Sequence, residues 1–93
     1  MTYELLFHPD ALDEWSKLDK PVREQFKKKL TERLHNPHIS ASKLSGQENR
    51  YKIKLRSMGY RLVYDVVDTQ LIVTVVAVGK RERNAVYKAA ASR

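Results

Sequence analysis

A chain of 93 residues that is 42% hydrophobic and has no cysteine is predicted to fold as one domain, residues 1–93, around a small core, and its composition excludes disulfides, thiolate catalysis and cysteine-held metals. The net charge of +7 is unevenly spread: residues 1–19 carry five acids and one base, whereas residues 50–64 carry five bases and no acid. Charge concentrated in this way points to nucleic acid, an anionic surface or an acidic protein partner. No stretch approaches the about 18 apolar residues of a membrane span, and no basic-then-apolar leader is present. The expectation is therefore a cytoplasmic protein with no membrane partner.

Residues 3–7 read as a first strand. Pro9 then suits the first turn of a helix in which Ala11, Leu12, Trp15 and Leu18 recur at spacings of three and four, with Asp10, Asp13 and Glu14 near its positive end. A second helix is predicted from Lys20, with Val22, Phe26, Leu30 and Leu34 as its buried stripe and Lys20, Arg23, Lys27, Lys28 and Lys29 on the other faces; Asn36-Pro37 ends it. So short a link predicts an antiparallel helical hairpin. Residues 38–49 are polar and mixed and read as a loop.

Three strands follow. In Arg50-Tyr51-Lys52-Ile53-Lys54-Leu55-Arg56, basic and apolar residues alternate without a break. The period of two lines Tyr51, Ile53 and Leu55 along one face and the four cations along the other, about 7 Å apart. Ser57-Met58-Gly59 supplies a turn, residues 60–67 a second strand, and residues 71–78, apolar on both faces, a central strand covered by helix on one side. Residues 82–92 form a short helix with a weak alanine-rich face, whose docking is expected to be marginal. The predicted fold is α+β in two layers. A mainly antiparallel four-stranded sheet carries the N-terminal helical hairpin on one face and the cationic ridge on the other, with a short C-terminal helix. Two hairpin registers are open. A three-residue turn pairs Leu55 with Arg61 and puts Arg61 on the apolar face; a four-residue turn pairs Arg56 with Arg61 and puts it among the lysines.

His8, His35 and His38 have no nearby Asp, Glu or second His at metal-ligand spacing on a defined element and read as surface or structural residues. Asp65 and Asp68, near a turn, are expected to face solvent. No carboxylate cluster offers a magnesium site, no serine sits in a nucleophile elbow, and Gly46, Gly59 and Gly79 are isolated, so there is no phosphate loop. No metal or cofactor is expected. Lysines, arginines and tyrosines remain, and that inventory suffices to cleave RNA. The substrate brings its own 2′-hydroxyl nucleophile, and the enzyme must deprotonate it, stabilise charge on phosphorus and protonate the leaving oxygen. An arginine holds phosphate through two parallel hydrogen bonds. A lysine crowded by other cations has a lowered pKa and can act as a base.

The chain resembles the RelE toxin family of bacterial toxin–antitoxin pairs over almost its whole length. The resemblance is densest in Tyr51-Lys52-Ile53-Lys54-Leu55-Arg56-Ser57, Gly59-Tyr60-Arg61-Leu62-Val63-Tyr64 and Val78-Gly79-Lys80-Arg81-Glu82-Arg83, through Val86-Tyr87. Val22-Arg23-Glu24-Gln25 and Lys27-Lys28-Lys29-Leu30 of the second helix match as well. The resemblance implies an endoribonuclease that cuts mRNA in the ribosomal A site, with the ribosome and its 16S rRNA and a cognate acidic, RelB-like antitoxin as partners. It implies Lys54 as general base, Arg81 as general acid, Lys52 and Arg61 as phosphate ligands, and Tyr87 as the ring that stacks on or orients a base. Ser45 stands where the family pattern often has arginine, which bears on a secondary RNA contact and not on the chemistry. The alternatives are a non-catalytic ParE-like toxin that inhibits DNA gyrase and a plain basic RNA-binding module. The antitoxin is expected to wrap the helical surface and displace the C-terminal helix.

Overall fold

The computed structural model describes residues 2–46, 48–82 and 84–93. In chain order the elements are β1 (Glu4–Phe7), α1 (Pro9–Ser16), α2 (Lys20–His35), a short 3-10 turn (Ser40–Ser42), β2 (Arg50–Leu55), β3 (Tyr60–Val67), β4 (Ile72–Lys80) and α3 (Ala85–Ala91). The strands form one sheet in the order β1-β4-β3-β2. β1 runs parallel to β4, and the other two pairings are antiparallel. The α+β prediction holds, with one parallel edge pair in a mainly antiparallel sheet. No helix among the described residues is long and apolar enough to cross a membrane.

Local chemistry explains where the helices begin and end. The His8 side chain accepts a hydrogen bond from the Asp10 N–H at 3.1 Å, and Pro9 opens α1 at the position where its missing N–H costs nothing. α2 stops at Asn36, the residue that Pro37 forces out of helical geometry. Ala11, Leu18, Val22, Phe26 and Leu30 bury against Tyr51, Ile53, Leu55, Leu62, Tyr64 and Val66 of the sheet. This is the hairpin layer that the three-and-four spacing predicts.

The opposite sheet face differs from expectation. It is not an open cationic surface. α3 lies on β3 and β4 there, and Val63, Val76, Ala77, Val86 and Ala90 form a second small core. A bulge makes this possible. Val63 pairs with Ala77 and Tyr64 with Val75, so Val76 is an extra residue on β4. The extra residue switches the alternation: Val73, Val75 and Val78 face the helical hairpin, while Val76 and Ala77 face α3. The doubly apolar central strand is therefore covered by helix on both sides.

Docking of α3 is also firmer than its alanine-rich sequence suggests. Arg93 donates to Glu14 at 2.7 and 3.1 Å and to the Val76 carbonyl at 2.9 Å. Arg50 donates to the Ala90 carbonyl at 2.7 Å and grips Asp65 at 2.7 and 2.9 Å. Two arginines thus tie the helix down by its last turn. Arg50 is consequently removed from the cationic ridge, and Asp65 is a paired residue and not a solvent-facing one. Asp68 is paired too, accepting from the Tyr3 hydroxyl at 2.7 Å and lying 2.7 Å from His38 Nε2. His38 bridges Asp68 and the Tyr51 hydroxyl and is a structural histidine.

Arg93→Ala tests the clamp. Glu14 is about one-third exposed, so the loss is less than for a fully buried pair, about 1–2 kcal/mol. Hydrogen exchange of the α3 amides is expected to quicken about tenfold, with β3 protection unchanged. Equal protection of α3 in both proteins would show that Arg93 does not hold it.

Candidate functional site

The β2–β3 hairpin sets the site. Its loop is Arg56-Ser57-Met58-Gly59, with Leu55 opposite Tyr60 and Lys54 opposite Arg61. The loop has four residues but begins one residue earlier than the sequence reading placed it. Arg61 therefore lies directly across from Lys54 on the cationic face. Gly59 has φ of 71°, a left-handed conformation that needs no side chain, and its carbonyl accepts the Arg81 N–H at 2.8 Å. That bond brings the chain after β4 back to the hairpin loop.

Lys54, Arg56, Tyr60, Arg61 and Arg81 line a cleft of 110 Å³. Like charges directly opposite on neighbouring strands repel, and among the described residues no carboxylate lines the cleft. The Lys54 ammonium is held below its ordinary range, first by Lys52, then by partial desolvation and by Arg61, Arg56 and Arg81. The four arginines and lysines around it thus act together to favour the neutral amine.

Arg61 is positioned from the other side. Gly79 is its β4 neighbour, and Val86 of α3 packs over it, with Cγ2 at ordinary van der Waals distance, 3.5 Å, from where a Cβ would stand. Tyr87, next along α3, sits beneath the Arg61 guanidinium, whose carbon lies 5.3 Å from the ring centroid. Arg61 Nε and the Tyr87 hydroxyl are buried without a hydrogen-bond partner among the described residues. Asp65, the nearest acid on β3, is held by Arg50 instead. Arg61 is therefore fixed by a ring and left un-neutralised, which is costly unless an anion joins it.

Of the five residues singled out in the sequence, Lys54, Arg61 and Arg81 share one cleft, Lys52 adjoins it along β2, and Tyr87 reaches it through its contact with Arg61. Part of the Tyr87 ring is committed to that contact and to the α3 core. Arg83, in the same basic motif, lies outside the described residues. Sequence reasoning assigned no site role to Arg56, although it lines the cleft, nor to Arg33. The signal for Arg56 was its place in the alternating run. For Arg33 there was none, because its position depends on how α2 crosses β2. Among the described residues no group of three or more His, Cys, Asp or Glu side chains is placed to hold a metal.

The cationic cleft lies on the sheet face opposite the helical hairpin, the face on which α3 also packs. The model of the ParE toxin of type II toxin–antitoxin systems matches residues 5–85. The mRNA interferase toxin RelE of Escherichia coli K12 is 57% identical over 93 residues, covering 100% of this chain and 98% of the relative. A mutant of the E. coli RelE toxin in its free state superposes with a TM-score of 0.92 at 55% identity, covering 100% of this chain and 98% of that one. The toxin in the intact E. coli RelBE toxin–antitoxin complex gives 0.83 at 58% identity, over 87% of this chain and 99% of that one. The chain belongs to the RelE/ParE family of type II toxins, on the RelE side of it.

Proposed function

We propose that this chain is the toxin of a type II pair, a ribosome-dependent endoribonuclease that cleaves mRNA in the ribosomal A site and so stops translation. The observation that carries this reading is Lys54. It is a lysine whose ammonium form is disfavoured by its neighbours, in a cleft of cations with no histidine or carboxylate in its lining.

The roles are those the family resemblance implies, and each is one its residue type can perform. Neutral Lys54 takes the proton of the 2′-hydroxyl, and the 2′-oxygen attacks phosphorus. Lys52 and Arg61 hold the non-bridging oxygens as charge builds on them. The bond from phosphorus to the 5′-oxygen breaks, and Arg81 gives that oxygen a proton. A guanidinium is a weak acid, but an alkoxide is a strong enough base to take its proton. Solvent returns the proton from Lys54 to Arg81. Tyr87 supports Arg61 and offers its remaining ring surface to a base beside the cut.

The ribosome supplies what so small a site lacks. Lys27, Lys28 and Lys29 are exposed on α2, away from the cleft, where ribosomal RNA phosphates can reach them while mRNA occupies the hairpin. An acidic RelB-like antitoxin, working beside the toxin in the cytoplasm, neutralises the +7 chain. To displace α3 it must break the Arg50 and Arg93 clamps. The similar E. coli toxin is found with its antitoxin in the intact RelBE complex. The gyrase-inhibitor reading is not favoured, since the 57% identical relative is an mRNA interferase.

The deciding experiment maps cuts on an mRNA held in translating ribosomes and on the same mRNA free in solution at physiological salt. Cleavage confined to the ribosomal A site is the expected result. Intact mRNA in both, or equally efficient cutting of free mRNA, would overturn the reading.

A further inference from the structure

Beside the cleavage cleft lies a wider one, of 340 Å³, lined by Arg33, Ala41, Ser42, Lys52, Lys54 and Arg56. The two share Lys54 and Arg56. The wider cleft holds four cations and, among the described residues, no acid in its lining.

Arg33 is its distinctive member. It rises from α2 across the edge of the sheet and is only partly exposed. Its guanidinium donates to the Tyr64 hydroxyl at 2.9 Å, to Ser42 Oγ at 3.3 Å and, at 3.5 Å, to the Lys52 carbonyl. It also lies over the Tyr64 ring, 5.8 Å from the centroid. All these partners are neutral. Tyr64 is itself held in place, donating to the Pro37 carbonyl at 2.8 Å. Arg33 is thus pre-oriented without being neutralised, and part of its fork of N–H donors remains uncommitted. The other arginines that approach carboxylates, Arg50 and Arg93, are saturated by them.

A partly buried cation beside three like charges is unfavourable unless an anion completes the group. The small side chains of Ala41 and Ser42 leave room for one. Lys52 and Lys54 stand two residues apart on one strand face, about 7 Å, a spacing comparable to that of successive phosphates along a single nucleic acid strand.

We infer that the Arg33–Ser42 side of this cleft is a second phosphate subsite, which holds the mRNA backbone phosphate next to the one that is cut, with Lys52 standing between the two phosphates. This inference rests on the nuclease reading for the identity of the strand. Arg33 acts here as a positioning residue. By fixing the neighbouring phosphate it sets the 2′-hydroxyl against Lys54, and its loss therefore shows in binding and in strand placement, with the proton-transfer groups intact.

The test walks a single uncharged methylphosphonate along the backbone of an mRNA programmed into ribosomes, leaving the scissile linkage natural. With the unaltered protein, one position adjacent to the cut is expected to lower kcat/KM about tenfold. Arg33→Gln is expected to lose about the same factor on natural mRNA and nothing further at that position. Arg33→Lys, which keeps the charge and loses the fork, should recover part of the loss. Independent, multiplying losses at every position would overturn the inference. So would a loss of ribosome affinity coupled to no mRNA position, which would give the cleft to ribosomal RNA.

A parallel arm needs no catalysis. Binding of a 2′-methoxy oligonucleotide carrying the same methylphosphonates is measured on the isolated protein against salt. Arg33→Gln should reduce the salt slope by about 0.7, the value for one single-strand phosphate. If the unaltered protein cuts nothing, the nuclease reading falls and this arm still decides the subsite. An unchanged slope would refute the subsite alone.

Discussion

Replacing Lys54 with alanine is expected to lower the single-turnover rate of mRNA cleavage about 10²- to 10⁴-fold, the range for a lost general base, while ribosome binding persists on the remaining cations. Lys54→Arg separates base from electrostatic clamp. Arginine keeps the positive charge but stays protonated in the resting enzyme and so has no lone pair to accept the 2′-proton, so the variant should be as inactive as the alanine one. Substantial activity in Lys54→Arg would reduce Lys54 to a phosphate ligand.

The same residue makes a prediction about pH. Cleavage should rise with pH as Lys54 loses its proton and level off above its lowered pKa. The stability consequence has a definite sign. In the window between the lowered folded value and the ordinary 10.5, the unfolded chain binds more protons, so native stability rises with pH. The destabilisation is fully present below the folded pKa and gone above the unfolded one. Lys54→Gln, which keeps most of the stem, should therefore be more stable than the unaltered protein at neutral pH, and the gap should close as the pH climbs towards 10.5. Denaturant midpoints measured across that range check it. A gap that widens with pH would contradict the crowding account.

Blocking the 2′-hydroxyl of the substrate should have an equally large effect. Among the described residues no serine, histidine or carboxylate lines the cleft, and the proposed mechanism takes the attacking oxygen from the RNA. A 2′-methoxy group on the nucleotide before the cut is expected to slow cleavage by at least about 10³-fold, since it removes nucleophile and transferable proton together. Products from natural mRNA should end in a 2′,3′-cyclic phosphate and begin with a 5′-hydroxyl. End-labelling of the fragments distinguishes these from a 5′-phosphate, and a 5′-phosphate would require water as nucleophile and a different set of roles.

Much of this protein was legible in its residues because the relevant forces are local. The strict alternation of Arg50 to Arg56 follows from the period of a strand, and Val22, Phe26 and Leu30 from the period of a helix, so the element types and the apolar face of each could be derived without coordinates. The ending of α2 at Asn36-Pro37 is backbone sterics. The run of alternating cations from Arg50 to Arg56, and the lack of any competing catalytic group, were likewise plain from residue types alone, whereas Arg61, Arg81 and Tyr87 entered only through the family resemblance.

What stayed hidden depended on residues far apart in the chain. The hairpin register turned on whether the loop held three residues or four, a single step that local propensities separate by too little energy to choose, and the choice sends Arg61 to one face or the other. The bulge at Val76 is equally invisible in an unbroken apolar run, yet it turns two residues towards α3 and makes room for the second core. Whether a given arginine is free or spent is a matter of distant partners: Arg50 belongs to Asp65 and the Ala90 carbonyl, Arg93 to Glu14, and Arg61 to the ring of Tyr87. Arg33 is the sharpest instance. Along the helix it is one more basic residue, and only the crossing of α2 over β2 brings it to Tyr64 and Ser42 and into the cleft. Periodicity assigns a side chain to a face; long-range packing decides what it meets there, and so which of these like charges is neutralised and which is left for RNA.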